Sequence, residues 1–384
     1  MERLIDDFIG KRKEDGLLRE LKPASMRSGG KIEFSKRVLA DFSSNDYLGL
    51  SGHPLLIEAS KNAAEKFGIS SCGSRLLSGN LSLHEELEEK TAKFKNKEAA
   101  IVFNSGYQAN VGIIGALYSQ GDCIFADRLI HASLLDGIIL SGAKLFRFLH
   151  NDCNHLESLL KKERGKFKNC LIVTESLFSM DGDKAPLTKL VALKNKYAAW
   201  LYVDEAHATG IYGSDGAGLV QANRLESEVD LIMGTFSKGL GSFGAYLAAS
   251  KRTVTYLVNT CRSFIYSTSL PPTVIAANLA SLDLVKKEPQ RRIKLLENAQ
   301  YLRQKLADKG WKIKGESQII PLIIGENQQA VSYSQALQNR GYWVLPIRPP
   351  TVPKGQARLR FSLTYDHPKE ILSKLNDDLQ KIKI

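Results

Sequence analysis

The sequence predicts an α/β fold built around a parallel or mixed β-sheet. Between about residues 98 and 250, short apolar segments alternate with helical patterns, and polar residues seldom interrupt the apolar segments. Such segments are typical of strands buried on both faces, and their alternation with helices is typical of α/β domains. We expect strands at residues 99–104, 123–126, 144–148, 170–174, 200–204, 231–234 and 244–249.

A second, smaller α/β region is expected after the adjacent prolines Pro271 and Pro272. A long helical pattern runs from about residue 274 to 309, with Pro289 as a possible interruption. Further elements follow, with strands at 318–324, 342–346 and 357–363 and helices at 330–340 and 368–381. The first 45 or so residues predict an arm with an amphipathic helix, a Gly29-Gly30 turn and a short hairpin. The expected domains are an N-terminal arm at 1–45, a large cofactor-binding domain at 46–282 and a small C-terminal domain at 283–384.

Composition indicates an ordinary globular protein. The 384 residues are 43% hydrophobic and 24% charged, and no apolar run approaches the roughly 20 residues that span a bilayer. The N-terminus has no signal-peptide core, so a cytoplasmic protein without membrane association is expected. The five cysteines are scattered, with no C-x-x-C pair, and predict reduced thiols and no metal site.

The formal charge of +12 is compatible with nucleic acid or with anionic small molecules as partners. Asp204-Glu-Ala-His207 matches the tetrapeptide of a helicase family, but those enzymes also need G-x-x-x-x-G-K-[ST]. No Gly-Lys pair in this sequence is followed by Ser or Thr. We therefore predict no nucleic-acid partner.

Four predicted strands are followed directly by polar segments, at 105–110, 175–183, 204–207 and 235–238. Each segment alone has an ordinary explanation, such as a helix cap, an Asp-Gly turn or an ion pair. In open α/β sheets, however, ligands bind outside the carboxyl ends of the strands. The four segments together therefore predict a binding site.

Lys238 is the most informative residue of these segments. It lies among glycines just after a buried strand, where its amine could reach an aldehyde while Thr235 and Ser237 meet a phosphate. Pyridoxal 5′-phosphate needs a Schiff-base lysine, a phosphate cradle and an acid opposite the pyridine nitrogen. Asp204 fits the acid, and Lys238 could also serve as the base at the substrate Cα.

With these residues in place, the sequence resembles the α-oxoamine synthases, which are fold-type I (aspartate aminotransferase-like) pyridoxal-phosphate enzymes. The resemblance implies a large mixed or parallel-sheet domain and a smaller C-terminal α/β domain. It covers nearly the whole chain, through FSSNDYLGL at 42–50, GSRLLSG at 73–79 with His84, Leu87 and Glu88, and segments 127–134, 174–183, 203–210, 234–238 and 357–363.

The resemblance implies roles for residues around the cofactor. His131 would stack on the pyridine ring, although a helix-capping histidine is the alternative. The other implied cofactor contacts are Gly106 and Tyr107 at the phosphate, Ser179 and His207 at the ring O3′, Thr235 at the phosphate, and Ser267 and Thr268 at the phosphate of a partner subunit. For Ser267 and Thr268 an ordinary turn before the two prolines is the alternative. Family members are homodimers with shared active sites, so a homodimer is expected. Ser237 departs from the family, where many members have Gly.

On the substrate side, the resemblance implies that Arg360 holds the amino-acid carboxylate. Arg358 should share its strand face, so the match to the family, and not the spacing, distinguishes the two arginines. Arg19, Asn45 and Thr351 would line the substrate entrance. For Arg19 an ordinary surface arginine on a helix is the alternative.

The loop at 347–353, IRPPTVP, is most similar to family members that make 8-amino-7-oxononanoate for biotin synthesis. Those members join L-alanine to a pimeloyl thioester of CoA or of a carrier protein and release CO2. Two alternatives stay open at this point. One is a glycine C-acetyltransferase or another α-oxoamine synthase, and the other is a basic binding protein that keeps the fold without catalysis.

Overall fold

The computed structural model describes residues 1–382, which group into two compact units. The larger unit comprises Leu50–Ser179 and Lys184–Arg292, and the smaller unit comprises Met1–Gly49, Met180–Asp183 and Ile293–Ile384. The three domains expected from the sequence, with boundaries at 45/46 and 282/283, stay a prediction beside this grouping. Within residues 1–382, no helix has both the length and the apolar composition to cross a membrane.

The described strands, in chain order, are β1 (Met26–Ser28), β2 (Lys31–Phe34), β3 (Arg37–Asp41), β4 (Ala99–Phe103), β5 (Cys123–Asp127), β6 (Lys144–Phe148), β7 (Cys170–Glu175), β8 (Trp200–Asp204), β9 (Leu231–Thr235), β10 (Ala245–Ala249), β11 (Ile319–Gly325), β12 (Tyr342–Trp343), β13 (Pro346–Ile347) and β14 (Ala357–Ser362).

The described α-helices are α1 (Glu2–Glu14), α2 (Pro54–Phe67), α3 (Ser82–Phe94), α4 (Gly106–Leu117), α5 (Ala132–Ser141), α6 (Cys153–Glu163), α7 (Leu187–Lys196), α8 (Leu219–Ala222), α9 (Lys251–Thr260), α10 (Arg262–Ile265), α11 (Pro272–Lys287), α12 (Pro289–Asp308), α13 (Asn327–Asn339) and α14 (Lys369–Gln380). The long helical pattern predicted from 274 to 309 is thus two helices, α11 and α12, which meet before Pro289 because proline disfavours helix at the residue before it.

The larger unit contains a seven-stranded sheet in the order β4-β10-β9-β8-β7-β5-β6. Strand β10 is antiparallel to both of its neighbours, and the remaining pairs are parallel. All seven predicted strands are present, so the predicted mixed sheet is confirmed. Because β7, β8 and β9 are adjacent and parallel, their carboxyl ends lie side by side at one edge of the sheet.

Apolar side chains cover both faces of this sheet. Along β5, Cys123 and Phe125 belong to one buried cluster, whereas Ile124 and Ala126 belong to a second cluster. Successive side chains of a strand point to opposite faces, so the two clusters lie on opposite sides of the sheet. This double burial explains why the strands read as unbroken apolar segments in the sequence.

The smaller unit contains a four-stranded sheet (β1-β2-β3-β12) and a three-stranded sheet (β11-β14-β13). The predicted hairpin is formed by β1 and β2, and its two turn residues, Gly29 and Gly30, have φ values of 55° and 70°. Two positive φ angles are typical of the tight hairpin turn that favours glycine. The hairpin prediction is confirmed.

The single strand predicted at 342–346 was wrong. Tyr342 and Trp343 form β12, which pairs with β3 in one sheet, whereas Pro346 and Ile347 form β13, which pairs with β14 in the other. The apolar pattern is continuous, but hydrogen-bonding partners far away in sequence divide it between two sheets.

Candidate active site

The carboxyl ends of β7, β8 and β9 bring together the polar segments that the sequence analysis singled out. Glu175 is the last residue of β7 and pairs in register with Asp204, the last residue of β8. Asp204 is in turn opposite Met233 of β9, two residues before Thr235. Three separate strand ends thereby supply one cluster of polar residues in the larger unit.

Lys238 lies in a tight loop between β9 and β10. Its Nζ is 2.9 Å from Nε2 of His207, a histidine that is only 5% exposed. The loop closes through backbone hydrogen bonds, including the one from the Gly241 N–H to the Lys238 carbonyl, 2.9 Å. Gly239 is required here, since a Cβ at this position would lie 2.5 Å from the carbonyl oxygen of Thr209.

Asp204 is a buried carboxylate that accepts hydrogen bonds from neutral donors. Its Oδ1 accepts from the Ala206 N–H (2.8 Å), and its Oδ2 accepts from the Asn110 side chain (3.0 Å). Asn110 is held by the Tyr202 hydroxyl, which donates to its Oδ1 at 2.7 Å. Within residues 1–382, no Lys, Arg or His forms an ion pair with Asp204. A buried acid in this setting fits a cationic partner such as a protonated pyridine nitrogen.

His131 caps helix α5, as the alternative interpretation expected. Its Nδ1 lies 2.7 Å from Ser133 Oγ and 3.2 Å from the Ser133 backbone N–H, which donates to it. Burial lowers the pKa of His131, and the nearby Lys238 adds to this, although Asp204 opposes it. The result is a neutral imidazole held in a fixed orientation, so capping and ring stacking are compatible.

Glu175 is a residue of the cluster to which the sequence analysis assigned no role. It is 3% exposed, and its Oε1 has no hydrogen-bond partner within residues 1–382. Burial, followed by repulsion from Asp204, raises the pKa of Glu175 to about 8, despite the lowering effect of Lys238 and the backbone N–H groups of His131 and Ser179. Its position at the end of a predicted buried strand was the signal in the sequence.

The predicted phosphate contacts lie at the start of helix α4 and beside Thr235. Ser105 caps the helix by accepting from the Gln108 N–H (3.2 Å), so Gly106 and Tyr107 form its first turn. The free N–H groups of a first helical turn attract anions. Thr235 Oγ1 lies 2.7 Å from Ser237 Oγ, which adds a pair of hydroxyls at the end of β9.

Ser267 and Thr268 are tied to the same helix start. Gln108 Nε2 donates to Ser267 Oγ at 2.8 Å, and Asn104 Nδ2 donates to the Thr268 carbonyl at 2.8 Å. The larger unit therefore holds all the residues predicted to contact the cofactor. Its donor set fits a phosphorylated pyridine aldehyde, with an amine, an acid, a flat neutral ring and hydroxyls near a helix start.

In the smaller unit, the structure brings Arg360 and Asn45 together. Both guanidinium nitrogens Nη1 and Nη2 of Arg360 donate to Asn45 Oδ1 at 3.2 Å, and Nη1 also donates to Ser362 Oγ at 2.6 Å. Arg358 forms a buried ion pair with Asp181 of the same unit. The two arginines that the sequence could not separate by spacing therefore have different surroundings, with the Asp181 carboxylate at Arg358 and the Asn45 amide and Ser362 hydroxyl at Arg360.

A second pair in the smaller unit joins Arg19 to Thr351. Arg19 Nη2 donates to Thr351 Oγ1 at 3.1 Å, and both residues line a cavity of about 210 Å³ with Leu17, Pro346, Ile347, Arg348 and Pro349. Burial lowers the pKa of Arg348, and the charges of Arg19 and Arg12 lower it further. None of these three arginines forms an ion pair with a carboxylate within residues 1–382. The cavity thus brings two arginines without a carboxylate partner in the described residues, Arg19 and Arg348, beside a set of apolar residues.

Comparison with known proteins identifies close relatives along the whole chain. Residues 37–375 match the family model described as aminotransferase class I and II. An 8-amino-7-oxononanoate synthase from Geobacter sulfurreducens is 46% identical over 377 residues, covering 97% of this chain and 96% of the relative.

Solved structures are also similar over nearly the full length. A serine palmitoyltransferase from Sphingomonas wittichii has a TM-score of 0.92 and 33% identity, covering 99% of this chain and 96% of that one. A high-resolution structure of SPT with PLP as an internal aldimine has a TM-score of 0.93 and 31% identity, covering 99% of this chain and 97% of that one.

Proposed function

Because the chain belongs to the aminotransferase class I and II family, we propose that it is a pyridoxal-phosphate-dependent, decarboxylating acyltransferase that condenses L-alanine with a pimeloyl thioester. The new C–C bond forms as the thiol leaves with a proton and the alanine carboxylate leaves as CO2, which yields 8-amino-7-oxononanoate for biotin synthesis. The predicted resemblance to the α-oxoamine synthases and the predicted fold type are confirmed by the relatives.

The cofactor residues of this proposal all belong to the larger unit. Lys238 would hold the cofactor aldehyde, Asp204 the pyridine nitrogen and His131 one face of the ring, while Ser179 and His207 would contact the ring oxygen. The phosphate would be held by Gly106, Tyr107 and Thr235, with Thr268 reaching the phosphate of the partner subunit in a homodimer. When bound, pyridoxal phosphate supplies an electron sink for the Cα of the amino acid.

The chain itself would handle the proton at Cα. Lys238 Nζ, once released from the cofactor, would accept this proton and later return it. His207 Nε2, 2.9 Å away, would orient the amine. His131 would stay neutral, because burial lowers the pKa of its imidazole.

Arg360 would bind the carboxylate of alanine through a charge-assisted, bidentate hydrogen bond. In the structure Nη1 and Nη2 both donate to Asn45 Oδ1, so the carboxylate would take the place of this oxygen between the two nitrogens. Tyr47, whose pKa is raised by burial, accepts from Nη2 at 3.3 Å through its hydroxyl and supports the same orientation.

The cavity at Arg19 and Thr351 is the observation that carries the choice of acyl donor. A pimeloyl chain is aliphatic and ends in a carboxylate. This cavity is lined by apolar residues together with two arginines, Arg19 and Arg348, which have no carboxylate partner within residues 1–382. Acetyl and palmitoyl chains carry no terminal carboxylate to match these arginines. The cavity therefore favours the pimeloyl donor over the glycine C-acetyltransferase and serine palmitoyltransferase alternatives.

Thiol release from L-alanine with pimeloyl-CoA, compared with glycine plus acetyl-CoA, tests this proposal. Heptanoyl-CoA, which has the same chain length as pimeloyl-CoA but ends in a methyl group, is the matched control. We expect turnover with alanine and pimeloyl-CoA, and a kcat/KM about ten- to a hundredfold lower for heptanoyl-CoA, as for the loss of a charge-assisted hydrogen bond. Preferential turnover of glycine with acetyl-CoA would contradict the proposal.

Two further parts of the proposal have their own tests. Purified protein that is colourless and binds no pyridoxal phosphate would favour the basic binding protein that keeps this fold. Sedimentation of the purified holoenzyme measures the homodimer. A cytoplasmic location belongs to the proposal too, and fractionation of the source cells checks it.

A further inference from the structure

Lys95 and Glu205 form an ion pair in the interior of the larger unit. Lys95 Nζ lies 2.8 Å from Glu205 Oε2, and the two side chains are 2% and 0% exposed. Burial by itself would lower the pKa of Lys95, but Glu205 and Tyr246 raise it overall, so the lysine is charged. A buried ion pair is weak evidence for stability, because desolvation offsets most of the attraction. A role in positioning is a more specific explanation.

Glu205 occupies the turn that carries two predicted cofactor contacts, Asp204 and His207. Its backbone carbonyl accepts from the N–H groups of Ala208 and Thr209, both at 2.9 Å, and its own N–H donates to the Met233 carbonyl at 2.8 Å. The turn is therefore fixed to strand β9 through its backbone and to Lys95 through the Glu205 side chain.

The same ion pair holds the far end of the turn. Lys95 Nζ also donates to Thr209 Oγ1 at 3.2 Å and to the Ala217 carbonyl, while Glu205 Oε1 accepts from the Val220 N–H at 2.9 Å. Thr209 is the residue whose carbonyl lies against Gly239, the neighbour of Lys238. A shift of the turn would thus move both His207 and the loop that presents Lys238.

We propose that Lys95 and Glu205 are positioning residues, which hold the 204–209 turn so that His207 Nε2 stays 2.9 Å from Lys238 Nζ. The inference rests on the proposed function, because it concerns the lysine that would bind the cofactor. Neither residue touches the reacting groups, and both act through His207 and Thr209. Two other titratable groups, Glu175 and His131, interact electrostatically with Lys238.

Glu205→Gln is the test, because it keeps the side-chain shape and leaves the Lys95 charge uncompensated. Asp230→Asn is the matched control. Asp230 Oδ2 also pairs with a lysine, Lys194, at 2.8 Å and also accepts a backbone N–H, that of Leu201, at 2.8 Å. This second pair lies where β8 and β9 begin, at the opposite edge of the sheet. Both variants lose a lysine–carboxylate pair, but only Glu205→Gln disturbs the 204–209 turn.

In the holoenzyme we expect both variants to lower the melting temperature. Only Glu205→Gln should also shift the pH midpoint of the visible cofactor absorbance, weaken pyridoxal-phosphate binding and lower kcat about ten- to a hundredfold, as for a small misplacement of a reacting group. The KM for alanine should change little. Glu205→Asp, which restores the charge, should recover part of kcat and of the absorbance midpoint.

Equal melting losses in the two variants, with unchanged absorbance midpoint, cofactor affinity and kcat, would overturn the inference and leave the pair a purely structural one. Should Glu205→Gln fail to fold, Thr209→Val provides the same test, since it keeps both charges and removes one hydroxyl of the turn. An unshifted midpoint and kcat in that variant would likewise count against the inference. Failure of the proposed function is distinguishable, because the unmodified protein would then bind no cofactor or would release no thiol from alanine plus pimeloyl-CoA.

Discussion

The acids at the two ends of the strands in the seven-stranded sheet differ in their partners. At the edge where β8 and β9 begin, Asp230 pairs with Lys194 at 2.8 Å. At the carboxyl edge, Asp204 accepts only from neutral donors, and Glu175 Oε1 has no partner within residues 1–382. An acid that only stabilises a fold is paired with a cation of the fold, whereas Asp204 is open to a cationic ligand and Glu175, with its raised pKa, keeps a proton.

Arginines of the smaller unit show the same contrast between paired and unpaired charges. Arg358 is neutralised by Asp181, whereas Arg348 lines a cavity with Arg19 and has no carboxylate partner in the described residues. Partner chemistry therefore separates residues that are alike in sequence. The four predictions below test this comparison.

The largest effect is expected at Lys238. Lys238→Ala removes the amine that would bind the cofactor aldehyde and accept the Cα proton, so it should abolish the visible absorbance of the purified protein and its turnover. Absorbance spectra and a thiol-release assay measure both. Lys251→Ala, at the start of α9, is the control and should change neither. Undiminished activity of Lys238→Ala would refute the assignment.

Next in size is the comparison of the two acids. Asp204→Asn removes the charge that would face the pyridine nitrogen, and we expect kcat to fall about a hundredfold or more, in the range of a lost general acid–base group. Asp230→Asn should lower the free energy of unfolding by about 1–3 kcal/mol, because it leaves a partly buried Lys194 unpaired. Its kcat, corrected for the folded fraction, should be unchanged. Equal kcat losses in both variants would contradict the distinction between an acid that serves the cofactor and an acid that only stabilises the fold.

A smaller effect is expected at Arg348. Arg348→Gln should raise the KM for pimeloyl-CoA about tenfold while leaving the KM for heptanoyl-CoA unchanged, since only the first donor carries a carboxylate for this guanidinium. The thiol-release assay, run with both donors on the parent and on the variant, gives the four KM values. An equal rise for both donors would indicate that Arg348 shapes the loop without binding the carboxylate.

The smallest effect is a pH dependence due to Glu175. Its pKa is raised to about 8 from an ordinary value of 4.5, so the folded protein holds a proton that the unfolded chain has released between these values. The free energy of unfolding should therefore fall as the pH rises through this window. Glu175→Gln removes this dependence. In thermal melts of the cofactor-free proteins, the melting temperature of the variant should therefore rise relative to that of the parent from pH 5 to pH 8. Parallel curves would contradict the raised pKa.

Much of the larger unit could be predicted because its signals are local. Strands such as β5 and β8 are unbroken apolar segments, and the residues after them are polar, so Asp204, Thr235 and Lys238 stood out without any knowledge of the fold. The roles of Arg19, Asn45 and Thr351 came from a family resemblance and remain predictions. Their pairing, Asn45 with Arg360 and Arg19 with Thr351, joins residues more than 300 positions apart, which no local pattern indicates.

By itself, the sequence determined the mixed α/β fold, the family and the strand ends that carry polar residues. These features are local, because a strand buried on both faces is a continuous apolar segment and the polar residues follow it directly in the chain. Only the tertiary structure decided which charges are neutralised. It pairs Lys95 with Glu205 and Arg358 with Asp181, and within the part of the chain that the structure describes it forms no ion pair with Glu175. The physical reason is that the energy of a buried charge depends on its partners in space, which the sequence supplies from positions far apart in the chain.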